Sequence, residues 1–318
     1  MKYYDRIMFM DKLILIDGNA ILHRGFHAMP PFTSPDGRLV NAVYGFFSMF
    51  LKIIQDFKPS YIVVCFDRPK PTFRKLLYVG YQAKRPKMSD DLVPQIAIVH
   101  EILKKAKIEI FEVDGYEADD LIGTLATKAV SGKLDGKLEV VIVSGDRDML
   151  QLINSQVTAA MPITGITNMT VFDERKTEEK YQVKPAQIID YKSLVGDPSD
   201  NYSGVSGIGP KTAVNLLKEF DTLENIYKNL DNIQKKNPNL ALKLAEGGES
   251  AGLAKKLATI VTDAPITLDI EKCSMFHFDM AGIKEEFEKL SFKSLLKRLE
   301  VKKSDLPKED ESEQLGLI

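Results

Sequence analysis

The apolar positions along the chain follow two rhythms. Four short runs rich in Ile, Leu and Val, at 13–16, 61–66, 108–113 and 138–143, read as buried strands. Between them, the apolar residues of 43–57, 93–105 and 118–130 recur at helical spacing. Strands alternating with helices predict an α/β domain, with a mostly parallel central sheet covered by helices on both faces. From Pro185 onward the strand rhythm is gone, and short helical stretches are punctuated by Gly-Asp-Pro, Gly-Ile-Gly-Pro, Asn-Pro and Gly-Gly. The expected organisation is an α/β domain over 11–190, a helical domain over 191–300 and a flexible, charge-dense tail over 301–318.

Composition changes this picture only by exclusion. At 318 residues, 44% hydrophobic, the chain can bury one or two cores unaided, while Cys65, Cys273 and four scattered histidines exclude a disulfide scaffold or a zinc finger. No uncharged apolar run is long enough to span a membrane, and Lys2, Asp5 and Arg6 interrupt any export signal, so a soluble cytoplasmic protein is expected. The net charge of −2 does not exclude a polyanionic partner. Much of the negative charge belongs to the acidic tail and to the carboxylates considered next, and the remainder of the chain is positive.

Three of the four strands run into aspartate, at Asp17, at Asp67 and at Asp146-Arg-Asp148. The remaining strand leads through Asp114-Gly115 into Glu117-Ala-Asp119-Asp120, which opens a helix. Each acid alone is better explained as a turn former or as a complement to a helix dipole. In a parallel sheet, however, all carboxyl ends open on one edge, so the set should converge. Two carboxylates ~4 Å apart repel by roughly 4 kcal/mol at an effective dielectric near 20. A gathering of them therefore requires bound positive charge, and an oxygen-only ligand set points to Mg2+ or Mn2+. Two such ions suit the hydrolysis of a phosphodiester.

The strings Leu15-Ile-Asp-Gly-Asn19, Asn41-Ala-Val-Tyr-Gly45, Phe66-Asp67, Gly115-Tyr-Glu-Ala-Asp-Asp120, Gly145-Asp-Arg-Asp-Met149 and Gly196-Asp-Pro-Ser-Asp-Asn-Tyr-Ser-Gly-Val-Ser-Gly-Ile-Gly-Pro-Lys-Thr212 follow in order. Together they resemble the 5′-nuclease domain of bacterial DNA polymerase I, within the flap endonuclease family, over about 11–300. The resemblance implies a PIN-like nuclease fold and a two-metal enzyme that cuts DNA and RNA-DNA hybrids from a free 5′ end, flap or nick, in primer removal and repair. It assigns Asp67, Glu117, Asp119 and Asp120 mainly to one ion and Asp146, Asp148, Asp197 and Asp200 to the other, with Asp17 in an outer shell as a catalytic group.

From Arg68 to Ser89 the chain carries seven Lys and Arg and no acid, interleaved with Phe73, Tyr78 and Tyr81. A solvated basic loop is the ordinary explanation of such a run, but this one starts beside Asp67, where cations can neutralise a phosphate and aromatic rings can stack an unpaired base. The resemblance places here, at about 68–107, an arch over the 5′ strand, with Arg74, Lys75 and Tyr81 as DNA contacts and Arg85 as a catalytic cation. The family pattern Tyr-Lys-x-Asn-Arg stands here as Tyr81-Gln-Ala-Lys-Arg85, and Lys84 is the expected replacement for the lysine missing at Gln82.

Gly207-Ile-Gly209-Pro-Lys211-Thr212 is not a nucleotide-binding P-loop, because Pro210 stands directly before the lysine. A tight turn with Pro at the first helical position instead offers backbone N–H groups to a phosphate. The resemblance implies a helix-three-turn-helix that grips duplex DNA, with K+ at the turn. The ending Gln314-Leu315-Gly-Leu317-Ile318 resembles the pentapeptide by which replication proteins dock on the bacterial sliding clamp, against the alternative of a chance match. Two other functions compete. A non-catalytic DNA-junction binder would have no use for nine converging acids, and a PIN-type ribonuclease would lack the glycine turn.

Overall fold

The computed structural model describes residues 11–132, 138–164 and 168–300. Six strands form one sheet: β1 (Asp11–Asp17), β2 (Tyr61–Cys65), β3 (Glu109–Phe111), β4 (Leu138–Val143), β5 (Val157–Thr164) and β6 (Asn168–Phe172), in the order β3-β2-β1-β4-β5-β6. All pairings are parallel except that of β5 with β6. Leu13 to Ile16 on β1 are fully buried, which is why the run reads as continuous apolar rather than alternating. The order reverses direction at β1, which lies between β2 and β4. In open sheets of this kind, the crevice at the carboxyl end of such a reversal is where ligands bind.

The helices are α1 (Gly18–Ala28), α2 (Asn41–Phe57), α3 (Phe73–Leu77), α4 (Val93–Lys105), α5 (Ala118–Ser131), α6 (Glu174–Tyr181) and α7 (Ile188–Val195). After a two-residue ladder of β7 (Gly196–Asp197) and β8 (Tyr202–Ser203) come α8 (Pro210–Phe220), α9 (Leu223–Lys228), α10 (Leu230–Lys236), α11 (Pro238–Glu246), α12 (Gly248–Ala258), α13 (Met280–Lys289) and α14 (Lys293–Glu300). Helix α5 and the helical region pack on one sheet face, and α1, α2 and α4 on the other. None of the described helices is long and apolar enough to cross a membrane.

Three sequence expectations are corrected. Strands β5 and β6 escaped the pattern because Ala159, Ala160 and Pro162 dilute the β-branched signal and β6, at the antiparallel edge, is five residues long with only Phe172 buried. Helix α4 is a core element, burying Gln95, Ile98, Val99, Ile102 and Leu103, so residues 93–105 of the expected arch pack into the core instead. Helices α13 and α14 leave the helical region and return to the sheet, where Phe287, Phe292, Leu295 and Leu299 join Phe46 and Phe47 in one core. The pentapeptide at 314–318 lies outside the described residues.

Candidate active site

The carboxyl ends of β1, β2 and β4 open into a cleft of about 940 Å3 lined by Asp17, Asp67, Glu117, Asp119, Asp146 and Asp200. Local structure fixes most of these acids. Asp17 ends β1 and caps α1, accepting from the Ala20 N–H at 2.9 Å and from Ser144 Oγ at 2.7 Å. Asp67 accepts from the Ala118 N–H at 2.7 Å, which ties the end of β2 to the start of α5. Asp146 caps the 3-10 turn that carries Asp148.

Burial and mutual repulsion mark these groups. Burial, reinforced by Asp67 and Asp146, pushes the Asp17 carboxyl up to about 7. Burial also drives Asp119 well above the usual carboxylate range, and Asp146, Asp17 and Asp67 add to the shift. Asp67 and Glu117 are raised in the same direction, first by burial. Such a ring disfavours its own charge, and a bound cation relieves it.

A second acidic group lies beside the first. Asp148, Asp197 and Asp200 each offer an oxygen, all within 4.8 Å of one another, a spacing that no other trio of possible ligands meets among the described residues. Lys192 on α7 donates to both Asp148 and Asp197, at 2.6 Å to the latter. Burial pushes Asp197 up, but Lys192 and the Ser199 donors outweigh it and hold the carboxyl down at about 2. Gly196 and Gly204 make this geometry possible, since a Cβ on Gly204 would fall 2.3 Å from the Leu194 carbonyl oxygen.

The structure separates Asp120 from the acids it follows in sequence. Asp120 is fully buried and accepts two bonds of 2.8 Å from Arg74, with further bonds from the N–H groups of Glu117 and Val261. Its oxygens are thereby engaged, and the structure does not bring this expected metal ligand to the cleft lining. Arg74, expected to contact DNA, is 2% exposed and also donates to the carbonyls of Leu257 and Thr259. Tyr81, expected to stack a base, is 3% exposed, with its hydroxyl donating to Glu117 at 3.1 Å.

The remaining cations are distributed along the cleft. Arg85 lines it and pairs with Asp200 at 2.6 Å, as does Lys75 line it, whereas Lys84 is exposed and not part of the lining. Gly207, Gly209 and Lys211 are exposed at the start of α8, with Thr212 half-buried behind them. Gly207 takes φ +74, and its carbonyl accepts from Lys243 at 3.3 Å. Sequence reasoning missed Lys192, whose only signal is an acid five positions on, and also Asn19 and His23, which face the cleft from α1.

Residues 12–182 match the family model of the 5′-3′ exonuclease N-terminal, resolvase-like domain, and 183–281 match that of the 5′-3′ exonuclease C-terminal SAM fold. The chain belongs to the 5′-3′ exonuclease family. Over 92% of its length it is 40% identical to a 5′-3′ exonuclease of Aquifex aeolicus, covering 96% of that protein. It is also 40% identical over 91% of its length to DNA polymerase I of Bacillus subtilis, of which it covers 32%. The chain thus spans about a third of the polymerase relatives.

Among solved structures, the bacteriophage T5 D15 protein co-crystallised with metal ions shares the fold at a TM-score of 0.62 and 19% identity, over 91% of this chain and 97% of that one. The catalytic core of Rad2 in complex with DNA substrate shares it at 0.57 and 17%, over 92% of each chain. The 5′-3′ exonuclease fold is therefore an α/β nuclease layer with a mostly parallel sheet and an appended helical region.

Proposed function

We propose that the protein is a structure-specific 5′ nuclease, hydrolysing phosphodiesters at 5′ ends, flaps and nicks of DNA and of RNA-DNA hybrids during primer removal and repair in the cytoplasm. The observation that carries this reading is the convergence of buried, mutually repelling carboxylates at the carboxyl edge of the sheet, beneath a wall of Arg and Lys.

The residues fit two divalent ions, Mg2+ or Mn2+. Asp67, Glu117, Asp119 and Asp146 would hold one, with Asp17 behind them, and Asp148, Asp197 and Asp200 the other. Bound there, the ions supply the positive charge that a phosphodiester needs as water attacks and the 3′ oxygen leaves. Lys192 keeps Asp148 and Asp197 together before an ion arrives. Arg85, held at the rim by Asp200, faces the substrate strand and offsets its phosphate charge. The 207–212 turn grips the duplex backbone through helix N–H groups and Lys211, with K+ at the turn. Such contacts carry no base code, so specificity is for structure.

The T5 D15 and Rad2 structures, with metal ions and with DNA, support the same ligands here. The test is cleavage of a 5′-labelled flap duplex with Mg2+, Mn2+ or chelator, beside single-stranded RNA. Metal-dependent cutting near the flap junction is expected, and cutting of the RNA alone would favour a ribonuclease. The ending at 314–318 supports docking on the sliding clamp. Deleting those five residues should abolish clamp binding and leave cleavage of free DNA unchanged.

A further inference from the structure

We propose that Lys75 is the cation the cleft holds ready for the substrate, contacting a non-bridging oxygen at or next to the phosphate being cut. The inference deepens the nuclease reading and rests on it. Five cations line the cleft, and three are already engaged in ion pairs: Arg68 and Lys70 share Asp114 at 3.1 and 2.5 Å, and Arg85 pairs with Asp200 at 2.6 Å. Lys87 is exposed on the outer loop. Lys75 is half-buried, and its ammonium donates to the backbone carbonyl of Tyr81. No carboxylate lies within ion-pairing distance of it among the described residues. A lysine oriented by a neutral oxygen keeps its whole charge for an arriving anion, and partial burial reduces the screening of that charge.

Its place on α3 is set by its neighbour. The preceding residue, Arg74, is locked to Asp120 at the start of α5, the helix that carries Asp119. The backbone of Lys75 is thus tied to the helix that carries Asp119, and its ammonium is oriented by the Tyr81 carbonyl; an oriented charge is what stabilises a transition state. The carbonyl that holds Lys75 leads directly into Gln82, whose N–H donates to the Asp200 carbonyl at 2.8 Å. Gln82 is neutral and lines the same cleft, while Lys84 is exposed and does not line it. Lys75 therefore supplies from α3 a charge on the wall that Gln82 also lines.

The test is single-turnover cleavage of a 5′-flap duplex at saturating Mg2+ and enzyme, with flap affinity measured separately in Ca2+. Lys75→Met should lower the rate by about 10²–10³-fold, the loss typical of one oriented donor to transition-state charge, and weaken affinity less than about fivefold, while Lys84→Met stays within about twofold. Adding Gln82→Lys to Lys75→Met should restore at least a tenfold share of the rate. A Lys75→Met rate within about threefold of wild type, in a protein whose circular dichroism and melting are unchanged, would overturn the assignment. So would failure of the Gln82→Lys rescue, which would leave Lys75 as a prop for Tyr81. A wild-type protein that cuts nothing would instead remove the nuclease reading itself.

Discussion

Neighbouring residues of one motif do opposite things here. Asp119 faces the cleft and is pushed strongly toward its neutral form, while Asp120 is fully buried in a bidentate pair with Arg74. Breaking such a pair strands a buried charge, so Asp120→Ala should destabilise the metal-free fold by about 3–5 kcal/mol in urea unfolding. Arg74→Met combined with Asp120→Leu should cost less than either single change, because both charges leave together. Asp119→Asn should instead raise the melting temperature in chelator, having removed a repelled charge, and blunt the stabilisation by Mg2+. Equal losses for the Asp119 and Asp120 variants would show that the two acids share one role. The sequence showed acids at the start of a helix but not this division of labour. It is decided by Arg74 and Val261, 46 and 141 positions away from Asp120. Lys192 was invisible for the same reason, since its partner Asp148 lies 44 positions earlier.

At the scale of elements, runs rich in Ile and Val announced themselves, the edge strand β3 included, while the interior β5, diluted by Ala159, Ala160 and Pro162, and the short edge strand β6 did not. The acids at the ends of β1, β2 and β4 could be brought together on paper because parallel strands share a carboxyl edge. The return of α13 and α14 to the sheet could not, because an amphipathic helix does not name the surface it will cover. That shared edge sets the pH response. A carboxyl with a folded value near 7 and an unfolded one near 4 binds its proton more tightly in the folded state, so the fold gains stability below that window and loses it as pH rises through it. His23, lowered first by burial and then by His27, works the other way below its ordinary value. Asp197, held down at about 2, loses its contribution only in stronger acid, as pH falls through that value. In chelator the melting temperature should therefore fall by a few °C from pH 5.5 to 7.5, on the order expected for 1–2 kcal/mol in a chain of this size. Saturating Mg2+ should flatten the slope, since the bound ion takes over from the proton. A slope identical with and without metal would mean the ring is already relaxed by its own cations.

Across the whole molecule, the cleft and the glycine turn offer DNA two different kinds of contact. In the cleft, positive charge stands next to acids whose strain is relieved only by cations, so contacts there are coupled to metal and to the reacting phosphate. At the turn, Gly209 precedes α8 without a side-chain cap, Pro210 needs no partner for its missing N–H, and Lys211 is exposed. On the proposed reading this end of α8 holds the DNA backbone electrostatically, and no ion pair engages Lys211 among the described residues. Lys211→Ala should therefore weaken duplex binding in Ca2+ and reduce the slope of log affinity against log salt by about one, while leaving single-turnover cleavage at saturation within about twofold. Asp148→Ala should do the reverse, keeping metal-free DNA binding and losing turnover by several orders of magnitude, because on the proposed reading Asp148 would hold an ion together with Asp197 and Asp200. Titrations across a salt series, paired with quench-flow at saturating enzyme, distinguish the two. If Lys211→Ala slowed the saturated rate and left affinity untouched, the turn would be positioning the scissile phosphate rather than holding the duplex.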